Sequence, residues 1–152
     1  MALSLTSPAF DDGGPIPEEY GYTARNVNPP LAIDGVPDDA ASLALIVDDP
    51  DAVEPTGKVW VHWVVWNVDP GTTEIPEDWD ASASGVAEGK NDFGGNGYGG
   101  PNPPDREHTY RFELYALAAT LDLSSGATAE DVRTAAEGSV LETATLTGTY
   151  AP

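Results

Sequence analysis

Residues Val59 to Val68 read Val-Trp-Val-His-Trp-Val-Val-Trp-Asn-Val, five valines and three tryptophans in ten positions. Branched and aromatic side chains lose rotamer freedom in a helix and fit a pleated surface, so this segment is a strand. Alternation puts Trp60, His62, Val64 and Trp66 on one face and Val61, Trp63, Val65 and Asn67 on the other. A second apolar run, Ser42 to Val47, ends in Asp48-Asp49-Pro50-Asp51 and reads as a buried strand halted by turn chemistry. Tyr110 to Ala118 is a third strand, with Tyr110, Phe112, Leu114 and Ala116 on one face. Thr128 is placed to cap a helix that has Glu130 and Asp131 in its first turn and Gly138 near its end. A second helix is expected from Ser139 to about Ala144, and a strand from Thr145 to Tyr150. The expectation is a mainly β domain with short peripheral helices towards the C-terminal end. Fourteen prolines and sixteen glycines imply long, shaped loops.

At 152 residues the chain reads as one domain, 1–152, large enough to bury a core without staples. It has no cysteine, which excludes disulfides and thiolate metal sites. Twenty-six acidic residues against six basic ones give a net charge of −20. Such a surface excludes nucleic acid and anionic lipid as partners. It suits a salt-rich cytosol, where a Debye length of roughly 3 Å at 1 M salt removes carboxylate repulsion. No apolar run approaches the roughly 20 residues that span a bilayer, so stable membrane insertion is not expected. The N-terminal residues show no basic region or apolar run, and the expected location is the cytoplasm.

The only two histidines are His62, within the aromatic strand, and His108, after the glycine- and proline-rich stretch Gly94 to Glu107. Histidine is the side chain most readily tuned near neutral pH, and the two are expected to share one site. Neither a zinc-protease helix motif nor a clustered ligand set is present, so no metal or cofactor is expected. The acidic pairs Asp11-Asp12 and Asp38-Asp39 read as solvated surface. There is no Gly-x-Ser-x-Gly element, and no serine in the segments around the histidines, to supply a nucleophile.

Four segments carry a family resemblance: Asp49-Pro50-Asp51-Ala52, Trp60-Val61-His62-Trp63, Gly100-Pro101-Asn102-Pro103-Pro104 and His108-Thr109-Tyr110. In this order and spacing they resemble the phosphatidylethanolamine-binding protein family, in particular its prokaryotic Raf-kinase-inhibitor-like branch. Ser7-Pro8-Ala9-Phe10 and Asn28-Pro29-Pro30-Leu31 near the start, and Gly138 to Leu141 and Leu146 to Tyr150 near the end, extend the similarity over nearly the whole chain. The resemblance implies a large central β-sheet packed on a smaller sheet. It also implies a pocket for phosphate-like and phosphorylethanolamine-like anions. Asp49, His62, His108 and Tyr110 would line it, Pro55, Pro103 and Pro104 would wall it, and Trp60 would lie nearby. Two imidazoles can both donate to one anion, and the glycines of residues 94–100 would aim backbone N–H groups inward. Asp49 would either orient His62 or receive an ammonium group. Three departures stand out. Val53-Glu54 look inserted, Thr109 stands where the family usually has arginine, and Ser139 replaces a common histidine. The function implied is non-catalytic binding of a small anionic or phosphorylated ligand, with a kinase or other enzyme as protein partner and a homodimer as assembly. The alternatives are a hydrolase using Asp49 and His62 as an acid–base pair, and a protease inhibitor.

Overall fold

The computed structural model describes residues 2–152, with Ser84 through its backbone only. Nine strands run in chain order: β1 (Ser4–Thr6), β2 (Gly14–Pro15), β3 (Leu31–Asp34), β4 (Ser42–Asp49), β5 (Trp60–Val68), β6 (Glu74–Ile75), β7 (Ala87–Glu88), β8 (His108–Leu117) and β9 (Val140–Tyr150). Two α-helices, α1 (Val53–Thr56) and α2 (Ala129–Ala136), accompany them. The large sheet has the order β2-β9-β8-β4-β5-β7, and a small one the order β1-β3-β6. All pairings are antiparallel except β2 on β9.

The large sheet is buried on both faces at its centre. All eight residues of β4 are buried. Leu43, Leu45 and Val47 of β4 join Trp63, Val65, Phe112 and Leu114 against Leu5, Leu31, Ile33 and Ile75 of the small sheet. On the other face Ala44, Ile46, Val64 and Trp66 pack under Ala129, Val132 and Ala136 of α2. A sheet covered twice explains why β4 and β5 read as continuous apolar runs. The chain is thus mainly β, a large sheet on a smaller one with few short helices.

Two irregularities in β5 break the alternation expected from sequence. Val47 pairs with Trp63 but Asp48 pairs with Val61, so His62 is an extra residue. Leu45 pairs with Val65 and Leu43 with Val68, which leaves another extra residue on β5. Bulges of this kind re-aim side chains. Val64 and Trp66 therefore share the α2 face with Val61, whereas His62 turns with Trp63 towards the opposite side, beside Tyr110. At the second irregularity Asn67 adopts a left-handed φ of 57°. Its side chain holds Leu121, donating to the carbonyl at 2.8 Å and accepting from the N–H at 2.7 Å.

The C-terminal segment differs from expectation. Ser139 to Ala144 is not a second helix. From Val140 it belongs to the eleven-residue β9, paired along β8. Valine and threonines there favour a strand, and the ladder outweighs the weak helical pattern. The helix after Thr128 forms as read, with a reciprocal capping box between Thr128 and Asp131. The turn after β4 was expected only as a loop. It winds into a 3-10 turn, Pro50–Ala52, and then α1, closed by Gly57 at a φ of 85°. Among the described residues no helix is long and apolar enough to cross a membrane.

Replacing Asn67 with alanine removes both hydrogen bonds to Leu121 and places a Cβ residue without side-chain compensation in the left-handed region. The expected loss is about 2–4 kcal/mol, read from denaturant melts, and Asn67→Gly should recover the backbone part.

Candidate ligand-binding site

At one end of the large sheet a cavity of about 130 Å³ opens between β4, β5 and β8. Asp49, Trp60, His62, Pro104, His108 and Tyr110 all line it. Ala52, Thr56, Phe93 and Asn102, which the sequence reading did not single out, complete it. Pro55 and Pro103 are not among the lining. Pro55 lies exposed on α1, and Thr56 takes the wall expected of it; Pro103 is buried and faces a different hollow near Tyr150.

The two histidines are brought together but do different things. His108 is buried, and both its nitrogens are occupied. Nδ1 lies 2.6 Å from Asp49 Oδ2 and Nε2 lies 2.7 Å from Asp105 Oδ1. Carboxylates only accept, so both nitrogens must donate and the ring is an imidazolium. Burial pulls its pKa down, but the hydrogen bonds and charges of Asp49 and Asp105 outweigh that and hold it above the ordinary value. His108 therefore has no donor left for a ligand, and Asp49 orients His108 rather than His62. Asp105 carries no strand or motif signal; its position three residues before His108 was the only hint.

His62 is buried as well, with Nδ1 2.7 Å from the Gly99 carbonyl. A carbonyl accepts, which puts the proton on Nδ1 and leaves Nε2 bare in the neutral ring. Burial lowers its pKa, against the Gly99 carbonyl and the charges of Asp49 and Asp48. Nε2 has no partner, nor has Trp60 Nε1; Tyr110 Oη makes no well-formed hydrogen bond, although Asp49 and the Asn102 backbone lie close to it, and all three atoms are buried. Burial, then the charge of Asp49, raises the Tyr110 phenol well above its usual range, so it stays protonated.

The glycine-rich loop frames this site instead of offering it N–H groups. Gly95 donates to Asn91 Oδ1, Gly97 to the Gly89 carbonyl, Gly99 to the His62 carbonyl and Gly100 to Asn26 Oδ1. Asn91 also donates to the Gly97 carbonyl and accepts from Phe93 N–H. A Cβ on Gly99 would strike the Phe93 ring, and one on Gly100 the Tyr20 carbonyl. The loop thus sets Phe93 edge-on to both Trp60 and His62 and stacks it on Tyr22 at 4.0 Å.

A sequence model of the phosphatidylethanolamine-binding protein matches residues 6–151. The chain belongs to the phosphatidylethanolamine-binding protein family. A UPF0098 protein of Methanothermobacter thermautotrophicus is 48% identical over 151 residues, 97% of this chain and 98% of that one. The crystal structure of a putative family homologue from Chlamydia trachomatis is 40% identical, with a TM-score of 0.90 over 98% of this chain and 97% of that one. Escherichia coli YBCL, described as a new member of the mammalian family, superposes with a TM-score of 0.89 at 31% identity, covering 99% and 98%.

The three positions expected to depart from the family pattern have these local settings. Val53-Glu54 begin α1, and Glu54 lies 3.4 Å from Arg106 on the loop before His108. Thr109 gives its N–H to Asp51 at 2.9 Å. Ser139 accepts from the Ala118 N–H and donates to the Ala136 carbonyl, away from the cavity.

The histidines predict opposite pH dependences. His108 has a raised folded pKa, so its contribution is complete below about 6.5, the unfolded value, and is lost as pH rises through the folded value. His62 has a lowered one, so its contribution is complete above about 6.5 and lost as pH falls through the folded value. Melting temperatures of wild type and His108→Gln should differ most near pH 6 and converge as pH rises.

Proposed function

We propose that this cavity binds the oxyanion end of a small ligand, phosphate-like in shape, without turning it over. One observation carries the reading: three buried polar atoms without partners, on Trp60, His62 and Tyr110, belong to residues lining the same small cavity. A buried polar group left unpaired costs roughly 1–3 kcal/mol, which a bound ligand can return. Trp60 Nε1 is a donor only, Tyr110 Oη can donate, and His62 Nε2 becomes a donor on protonation. The charge of Asp49 is answered by His108, which lowers the repulsion an anion would meet.

The same contacts argue against catalysis. An acid–base pair of Asp49 and His62 is not hydrogen-bonded, since Asp49 faces His108 and His62 faces Gly99. The one hydroxyl of the lining besides Tyr110, that of Thr56, donates to the Ala52 carbonyl at 2.6 Å and has no base beside it.

Sulfate has no second ionisation near neutrality, and it is the probe of choice. Titrated by NMR at fixed high KCl, it should bind more tightly as pH falls through the depressed His62 pKa. Tyr110→Phe and His62→Gln should each weaken binding by about 10- to 150-fold, the equivalent of one charge-assisted hydrogen bond. His62→Gln should also abolish the pH dependence. Equal affinity in all three proteins would reject the reading.

A further inference from the structure

A second cavity, of about 330 Å³, lies on the α2 face of the large sheet and shares no lining residue with the first. The chain has six basic side chains. Three of them, Lys58, Lys90 and Arg133, line this one cavity, and they include both lysines of the sequence. In a protein of net charge −20 that convergence needs a reason.

Service as counter-ions to local carboxylates accounts for part of it. Asp92 is fully engaged, accepting from Lys58 Nζ at 2.9 Å and from the Val61 N–H at 2.7 Å. Buried Asp48 is gripped by Arg111, Nε at 2.8 Å and Nη2 at 2.9 Å, so Arg133, at 3.3 Å, is a second cation on a carboxylate already matched. Arg133 also reaches Glu113 at 3.3 Å. Lys90 is not explained this way. Among the described residues it has no carboxylate within 4.0 Å, although the chain carries 26. Its backbone is fixed all the same, with N–H to the Ala127 carbonyl at 3.0 Å, a bridge to Asn96, and buried Asn91 next to it. Glu130, also in the lining, opposes an anion, but it sits in the first turn of α2, where the helix itself favours its charge.

We propose that this cavity is a second anion site, for inorganic phosphate or a soluble phosphate monoester, held by Lys90 with Arg133. Lys90 brings three donors and the arginine a planar guanidinium whose Nη2 is shared with Asp48 and Glu113, donors that suit a tetrahedral dianion better than chloride. The site does not depend on the cavity around His62.

Two lysines make the test direct. In protein labelled with ¹³C and ¹⁵N at lysine, each side chain gives its own signal, and Lys90→Gln assigns them. Phosphate is added at fixed molar KCl, with acetate at matched ionic strength as control. The expected result is a saturable shift of Lys90, with Lys58 following, unchanged in His62→Gln. In Lys90→Gln the residual Lys58 response should need roughly ten-fold more phosphate or more. Vesicles of phosphatidylglycerol should leave both signals where they are. Non-saturating shifts equal to those with acetate would overturn the proposal, as would unchanged affinity in Lys90→Gln. Loss of the Lys90 response in His62→Gln would assign the phosphate to the first cavity and also overturn it. A response to vesicles without one to phosphate would show a lipid surface instead.

Discussion

A buried imidazolium between two carboxylates organises the functional end of this protein. His108 opens β8, Asp49 closes β4 and Asp105 sits on the loop between the glycine-rich stretch and β8. Two pieces of chain distant in sequence, the end of β4 and the segment leading into β8, therefore meet on one ring. Removing one partner of such a cluster leaves a charge buried without compensation, which is why each member constrains the others. The excess negative charge of two carboxylates on one cation is tolerable because the Asp105 side chain is 36% exposed and partly screened by water.

That arrangement divides the labour between the histidines. Because His108 spends both nitrogens on the fold, the polar atoms left without partners at the cavity belong to His62 and its uncharged neighbours Trp60 and Tyr110. The β5 bulge makes this division workable. Without an extra residue opposite Asp48, His62 would keep step with Val64 and Trp66 and point under α2. With it, His62 joins Tyr110 and Phe93 at the sheet's other face. A local register defect is thus the geometric origin of the site, as bulges often are.

Much of the frame could be read from sequence because the strongest signals were local. The apolar runs of β4 and β5, the alternation of β8 and the Thr128 cap all depend on near neighbours. Asp49, Trp60, His62, Pro104, His108 and Tyr110 were picked out by ordered motifs, and all six line one cavity. What escaped depends on contacts distant in sequence. The β5 bulges are set by pairing with β4, not by any glycine. β9 owes its first half to β8. The roles of Asp49 and Asp105 rest on which imidazole each reaches, which spacing does not encode. Pro55 lies exposed on α1 and outside the lining, and Phe93 reaches the lining from a loop shaped by Asn91. The convergence of both lysines on the α2 face likewise joins residues 58, 90 and 133, three places with no shared pattern.

The central claim is that His108 is a structural cation and His62 a neutral ring with a bare Nε2. With only two histidines, ¹⁵N spectra of the imidazole nitrogens at neutral pH test this directly. The account predicts two protonated nitrogens on His108, and on His62 a protonated Nδ1 beside an unprotonated Nε2. A neutral His108 ring at pH 7, or a His62 whose proton rests on Nε2 with Nδ1 bare, would contradict it.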